Sequence, residues 1–257
     1  NITLENLNIR YAKQHAISFD YPNFLDPLAI QNNVIRNNTI LLDDSSLGDA
    51  IHFDADTIDG NTIQQNSIQA SSIPSSVGYG IKFNSGTTIS NNVFSQNQIS
   101  QNTADGIFIM SKTILSNQIL NNEIYENQQD GIELSTNPFS SVQFSENIIS
   151  DNLVYQNGSR GVYLVGYGAA TLSSNAISQN TFDSNVLGNI YLSAAPLSGN
   201  ILRNNITTNS PTGIEAFDLT PSTAEIDSDY NFFYGNTQDV KDVIMGTNSL
   251  TVTSTPY

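Results

Sequence analysis

The stretch Asn92-Val93-Phe94-Ser95-Gln96-Asn97-Gln98-Ile99-Ser100-Gln101-Asn102, followed by Gly106-Ile107-Phe108-Ile109, sets the fold of this chain. Asparagines recur every five residues with one apolar side chain two places after each, and the run ends in a glycine turn and a strand that alternates apolar, variable, apolar. A helix needs apolar residues three and four apart over ten or more positions. These pieces are short, β-branched and broken by Asn, Ser and Gly, so they read as strands.

Outward from this stretch, the unit Asn-x-Ile-x-x-Asn-x-Ile, with Val, Leu or Phe also at the apolar places, recurs along the chain. The pairs are Asn33/Asn38, Asn61/Asn66, Asn92/Asn97, Asn117/Asn122, Asn147/Asn152, Asn175/Asn180 and Asn200/Asn205, and their first members lie 28, 31, 25, 30, 28 and 25 residues apart. A third asparagine follows at Asn102, Asn127, Asn157 and Asn185. After each unit comes a strand of the Ile51-His52-Phe53 type: Ile17-Ser18-Phe19, Ile81-Lys82-Phe83, Ile107-Phe108-Ile109, Ile132-Glu133-Leu134, Val162-Tyr163-Leu164, Ile190-Tyr191-Leu192 and Ile214-Glu215-Ala216. Strands this short cannot bury an apolar face alone and must stack on copies of themselves. The expected fold is therefore all-β, a single-stranded right-handed parallel β-helix of about eight turns over residues 1–257, read as one domain and as a module of a longer chain. The asparagines are expected to stack as ladders, because amides donate and accept hydrogen bonds and tolerate left-handed turns.

The repeats resemble those of the pectate-lyase-like superfamily of right-handed β-helices. So do the opening Ile2-Thr3-Leu4-Glu5-Asn6-Leu7-Asn8-Ile9 and the closing Asp229-Tyr230-Asn231-Phe232-Phe233-Tyr234-Gly235-Asn236. The resemblance implies the fold and a polysaccharide partner, and leaves the reaction open. The Tyr-Gly-Phe-Asp-Pro-His string of alginate epimerases is missing, as are the compact Asp-rich segments of polygalacturonases.

The chain carries 24 acidic against 8 basic residues, a formal charge of -16, which repels nucleic acid and anionic membranes. There is no cysteine, so neither disulfides nor thiolate metal sites contribute. No apolar run is long enough to insert in a membrane, and no signal-type leader opens the sequence. The motifs of serine hydrolases, P-loop proteins, zinc proteases and dinucleotide-binding folds are absent.

The variable place of the Ile-x-Phe strands stacks Ser18, His52, Lys82, Phe108, Glu133, Tyr163, Tyr191 and Glu215 along the axis. Phe108, Glu133, Tyr163 and Tyr191 are the expected sugar contacts; alternatively Phe108, Tyr163 and Tyr191 form a structural aromatic ladder. His52, Lys82, Asp54 and Tyr79 hold the parts of a uronate lyase or epimerase, namely a base and a group to neutralise the sugar carboxylate. Asp105, Asp130 and Glu133, on neighbouring turns, are the carboxyls available for glycoside hydrolysis. Within the acidic cluster Asp43, Asp44, Asp49, Asp54 and Asp56, the residues Asp49, Asp54 and Asp56 are expected to hold Ca2+ if an ion binds, though the spacing fits no calcium loop. His15 reads as a turn residue.

Longer segments at residues 20–30, 41–48, 70–78, 135–142 and 165–171 flank the same strands, as walls of a binding surface would. The expected function is extracellular or cell-surface binding, with possible modification, of a polysaccharide. The rival is a non-catalytic shaft, a surface-layer, fibre or adhesin module that self-associates through its solenoid ends.

Overall fold

The structure, a computed structural model, describes residues 1–12, 14–20, 28–42, 48–70, 78–137, 143–168, 170–194, 196–218 and 225–252. Asp43, Asp44 and most of the longer segments lie outside the described residues. Among those described, every regular element is a strand and every ladder is parallel.

Four columns of strands stack along one axis. The first runs Thr3–Glu5, Val34–Arg36, Thr62–Gln64, Val93–Ser95, Gln118–Leu120, Ile148–Ser150 and Ala176–Ser178. The second is a separate sheet of 10 strands from Asn8–Ala12 to Leu250–Val252. The third contains the Ile-x-Phe strands, from Ile17–Asp20 through Ile132–Thr136 to Thr212–Asp218. The fourth includes Ala29–Gln31, Thr113–Leu115, Gln143–Ser145 and Thr171–Ser173. Ile51–Asp59 and Ile81–Ser90 run through from the third column to the fourth, and Leu197–Arg203 from the fourth to the first, so these three columns form one sheet of 22 strands.

The repeat length now has a physical meaning: one copy is one turn, and residues 25 to 31 apart become neighbours about 4.8 Å apart. Inside the coil the apolar places stack on their own kind. Ile35, Ile63, Phe94 and Ile119 are buried in the first column, and Ile40, Ile68, Ile99 and Ile124 in the second. Phe19, Phe53 and Phe83 form a stacked file in the third, with centroids 4.6 and 4.3 Å apart.

The asparagines sit at the corners between columns and form the expected ladders. In each, Nδ2 and the residue's own backbone N–H donate to Oδ1 of the asparagine one turn on, as Asn97 does to Asn122 at 3.0 and 2.9 Å. The final segment joins this pattern, with Asn205 donating to Asn231 Oδ1 at 3.1 and 3.0 Å. The left-handed residue is not the ladder asparagine but the one before it: Asn32, Gln65, Gln96, Asn121, Glu146 and Ser174 all have φ between 55° and 59°. The corner thus divides its needs between two residues, one supplying the backbone bend and the next the buried amide.

A file of glycines, Gly80, Gly106, Gly131 and Gly161, precedes the third column. A Cβ at Gly131 would stand 2.5 Å from Val154 Cγ1 and 2.8 Å from the Gly161 carbonyl oxygen. Close approach, not backbone conformation, demands glycine here. Gly131→Ala is expected to lose about 1–3 kcal/mol through overpacking, read as a lower urea midpoint with unchanged slope. A loss below about 0.5 kcal/mol, the size of an ordinary surface change, would remove the close-approach argument.

Candidate functional site

The register confirms the outward file residue by residue. Ser18, His52, Lys82 and Phe108 are successive partners, as are Phe108, Glu133, Tyr163, Tyr191 and Glu215. Lys241 extends it beyond Glu215 and pairs with it at 2.6 Å.

A second file lies two residues ahead of each Ile-x-Phe triplet, on the near lip of the same surface: His15, Asp49, Tyr79, Asp105, Asp130 and Arg160, the last already the first residue of its strand. Backbone bonds fix it, from Ala50 N–H to Tyr79 O, Gly80 N–H to Asp105 O, Gly106 N–H to Asp130 O and Gly131 N–H to Arg160 O, at 2.8 to 3.1 Å. The sequence marked His15 as a turn residue and did not single out Arg160. Its signal is the residue before Ala or Gly in His-Ala-Ile, Asp-Ala-Ile, Tyr-Gly-Ile, Asp-Gly-Ile and Arg-Gly-Val.

The two files interlock into three chemical groups. At the first turns, His52 is only 7% exposed although it points outward, because His15 stacks on it at 4.0 Å. His52 Nδ1 lies 2.5 Å from Asp49 Oδ2, and Nε2 lies 3.2 Å from Asp20 Oδ1. Asp49 also accepts the Tyr79 N–H at 2.9 Å. Burial, with His52 close by, lowers the pKa of His15.

Next along the axis, the Tyr79 ring lies on Phe108 at 4.7 Å, leaving Phe108 8% exposed, and Lys82 Nζ is 5.0 Å from the Tyr79 ring centre. Burial and the carboxyls of Asp105 and Glu133 push the Tyr79 phenol up to about 12.

The third group is acidic. Asp105, Asp130 and Glu133 bring carboxylate oxygens within 4.8 Å of one another. Asp105 is 1% exposed and its Oδ2 has no hydrogen-bond partner among the described residues. Burial first, then Glu133 and Asp130, push the Asp105 pKa up to about 8. Burial likewise raises Glu133 to about 7 and shifts Asp130 upward. Beside them the Arg160 guanidinium sits 4.6 Å from the Tyr163 ring and 4.5 Å from the Tyr191 ring.

Of the sequence-chosen residues, Lys82, Tyr79, Phe108, Glu133, Tyr163 and Tyr191 thus share one surface with His52. Asp54 lies further along its strand, exposed, where Asn84 Nδ2 donates to it at 3.2 Å. Asp49, Asp54 and Asp56 do not come together as a metal group among the described residues. Asp49 is taken by His52, and Asp56 Oδ2 accepts the Leu28 N–H at 3.3 Å.

A parallel solenoid with buried amide ladders and a strip of ionisable and aromatic side chains along its third column defines the class: a parallel β-helix. The model of the right-handed β-helix region matches residues 1–177 and 116–255, and the chain belongs to that family, which also gives the coil its right-handed sense. Among solved structures, the A-module of the mannuronan C-5 epimerase AlgE6 from Azotobacter vinelandii is similar at 12% identity with TM-score 0.48, over 95% of this chain and 79% of that one. No curated protein matches the chain.

Proposed function

We propose that this β-helix binds a polysaccharide along the third column, with Tyr163, Tyr191 and Arg160 as the principal contacts. The observation that carries the reading is the juxtaposition of aromatic, cationic and acidic side chains along the third column and its lip. Outward places in the second column are held mainly by Ser, Thr, Gln, Glu and Leu, as at Thr39, Ser67, Gln98, Glu123 and Leu153, and their aromatic rings, among them the stacked pair Tyr125 and Tyr155 at 4.9 Å, have no histidine or buried carboxyl group beside them among the described residues. The third column and its lip carry four aromatic rings, two histidines, three cations and a carboxyl cluster. Aromatic faces with a polar edge take up sugar rings at low entropic cost, and a straight file with one rung every ~4.8 Å suits a linear polymer. His52, aimed by Asp49, and Glu133 are the groups with proton-transfer chemistry on this strip. A location outside the cell or on its surface belongs to the same reading.

The test is a glycan panel, uronate polymers included, scored for binding and for ultraviolet absorbance of unsaturated products. Wild type is expected to retain at least one polymer. Tyr163→Ala and Arg160→Ala are each expected to weaken that binding about tenfold, the size of losing about 1.4 kcal/mol of contact. Silence across the panel, or equal binding by both variants, would leave the rival shaft as the better account.

A further inference from the structure

We propose that Asp105, Asp130 and Glu133 form a binding site for one hard divalent cation of calcium size. Asp105 and Asp130 stand one turn apart on the lip, and Glu133 lies three residues beyond Asp130 on the outward file. The coil therefore converges three carboxylates whose oxygens lie within 4.8 Å of one another.

The independent observation is Asp105 itself. It is 1% exposed, and its Oδ2 has no donor within reach among the described residues. A buried carboxylate oxygen without a partner is costly, and its carboxylate is one of the three. The other bonds of the trio aim it. Asp105 Oδ1 accepts the Asp130 N–H at 2.7 Å, Asp130 Oδ1 accepts the Arg160 N–H at 2.6 Å, and the Ser159 and Ser135 hydroxyls donate to Asp130 and Glu133. Fixed donors that orient acidic groups are the outer-shell arrangement of metal sites.

The ligand set names the ion. All three groups offer oxygen, with no nitrogen or sulfur in the trio, which selects hard cations. Three converging protein carboxylates suit calcium, which takes about six to eight oxygens in flexible geometry, whereas magnesium keeps most of its waters and is held by one or two carboxylates. Water or sugar hydroxyls would complete the calcium shell on the outward side.

Terbium luminescence on the full chain, with calcium competition, tests this. The protein has no tryptophan, so tyrosines alone sensitise emission, and Tyr79 and Tyr163 are near enough to feel the Glu133 charge. Wild type is expected to saturate at one terbium per chain and to release it at calcium concentrations of about 10⁻⁴–10⁻³ M. Asp105→Asn and Glu133→Gln are expected to weaken binding at least tenfold, while Asp54→Asn leaves it unchanged. Calcium is also expected to raise the thermal midpoint of wild type by about 3 °C or more, but not that of Glu133→Gln. The half-buried Glu133 supplies the test if Asp105→Asn fails to fold. Absent saturable emission, or emission undiminished in both variants, overturns the site, and displacement by magnesium as readily as by calcium overturns the size assignment. No glycan enters the readout, so this result and the polysaccharide reading fail separately.

Discussion

Asn122→Ala is expected to destabilise the coil by about 3–5 kcal/mol, a large share of the roughly 5–15 kcal/mol that holds a domain folded. Asn122 is 2% exposed and all its amide atoms are engaged. Its Oδ1 accepts the Asn97 N–H at 2.9 Å and Asn97 Nδ2 at 3.0 Å, and its Nδ2 donates to the Phe94 carbonyl at 2.9 Å and to Asn152 Oδ1 at 3.0 Å. Alanine strands the Asn97 donors and the Phe94 carbonyl in the core, at about 1–3 kcal/mol for each buried group left unpaired. Gln118→Ala, an outward change in the preceding strand, is expected to stay within about 0.5 kcal/mol. Urea unfolding of the two variants checks this, and equal midpoints would show that the ladder is not what holds adjacent turns.

Asn122→Asp sharpens the test. A carboxylate cannot donate to the Phe94 carbonyl or to Asn152 Oδ1, so the folded state favours the protonated acid and raises its pKa above the unfolded value of about 3.9. The sign follows: stability is retained below about pH 4 and lost as pH rises through the raised folded pKa. A variant equally unstable at every pH would mean that shape, rather than donation, is what the ladder needs.

The fold was legible because a solenoid writes its contacts into its period. Once Asn92, Asn117 and Asn147 are read as one position, both the ladder and the inward Ile and Phe files follow without further information. The outward file was legible for the same reason, since a strand alternates and a fixed repeat aligns its alternation. What escaped was exposure: His52 and Phe108 point outward yet are covered by His15 and Tyr79 from the lip. A two-residue alternation says nothing about side chains that lean in from the turn before it.

The metal-site expectation shows the converse difficulty. Asp49, Asp54 and Asp56 are close in sequence, but along a strand outward residues two apart lie about 6.6 Å from one another, and Asp49 precedes the strand altogether. Asp105 and Asp130 are 25 residues apart and adjacent in space. In a coil the axial neighbour is nearer than the sequence neighbour, so acidic clusters should be sought one repeat apart. Arg160 carries a signal only as one of the residues before Gly or Ala at the head of each Ile-x-Phe triplet, a column whose members differ in type from turn to turn.

In the presence of chelator, raising the pH from 5 to 8 is expected to destabilise the protein by a few kcal/mol, chiefly through Asp105. Burial and its two acidic neighbours push this carboxyl from 3.8 up to about 8, and Glu133 follows from 4.5 to about 7. Both groups titrate higher in the folded state, so across that window the folded chain binds more protons than the unfolded one and stability must fall as pH rises. A tenfold difference in proton affinity between the two states corresponds to about 1.4 kcal/mol, which makes a drop of a few kcal/mol the natural scale. Asp105→Asn keeps an oxygen for the Asp130 N–H and removes the charge, so it is expected to be less pH-sensitive than wild type and the more stable of the two at pH 8. Thermal unfolding followed by circular dichroism at pH 5, 6, 7 and 8 decides it. A flat wild-type profile, or the same slope in Asp105→Asn, would mean that the Asp105 carboxyl is solvated and that the lip does not bury its charge.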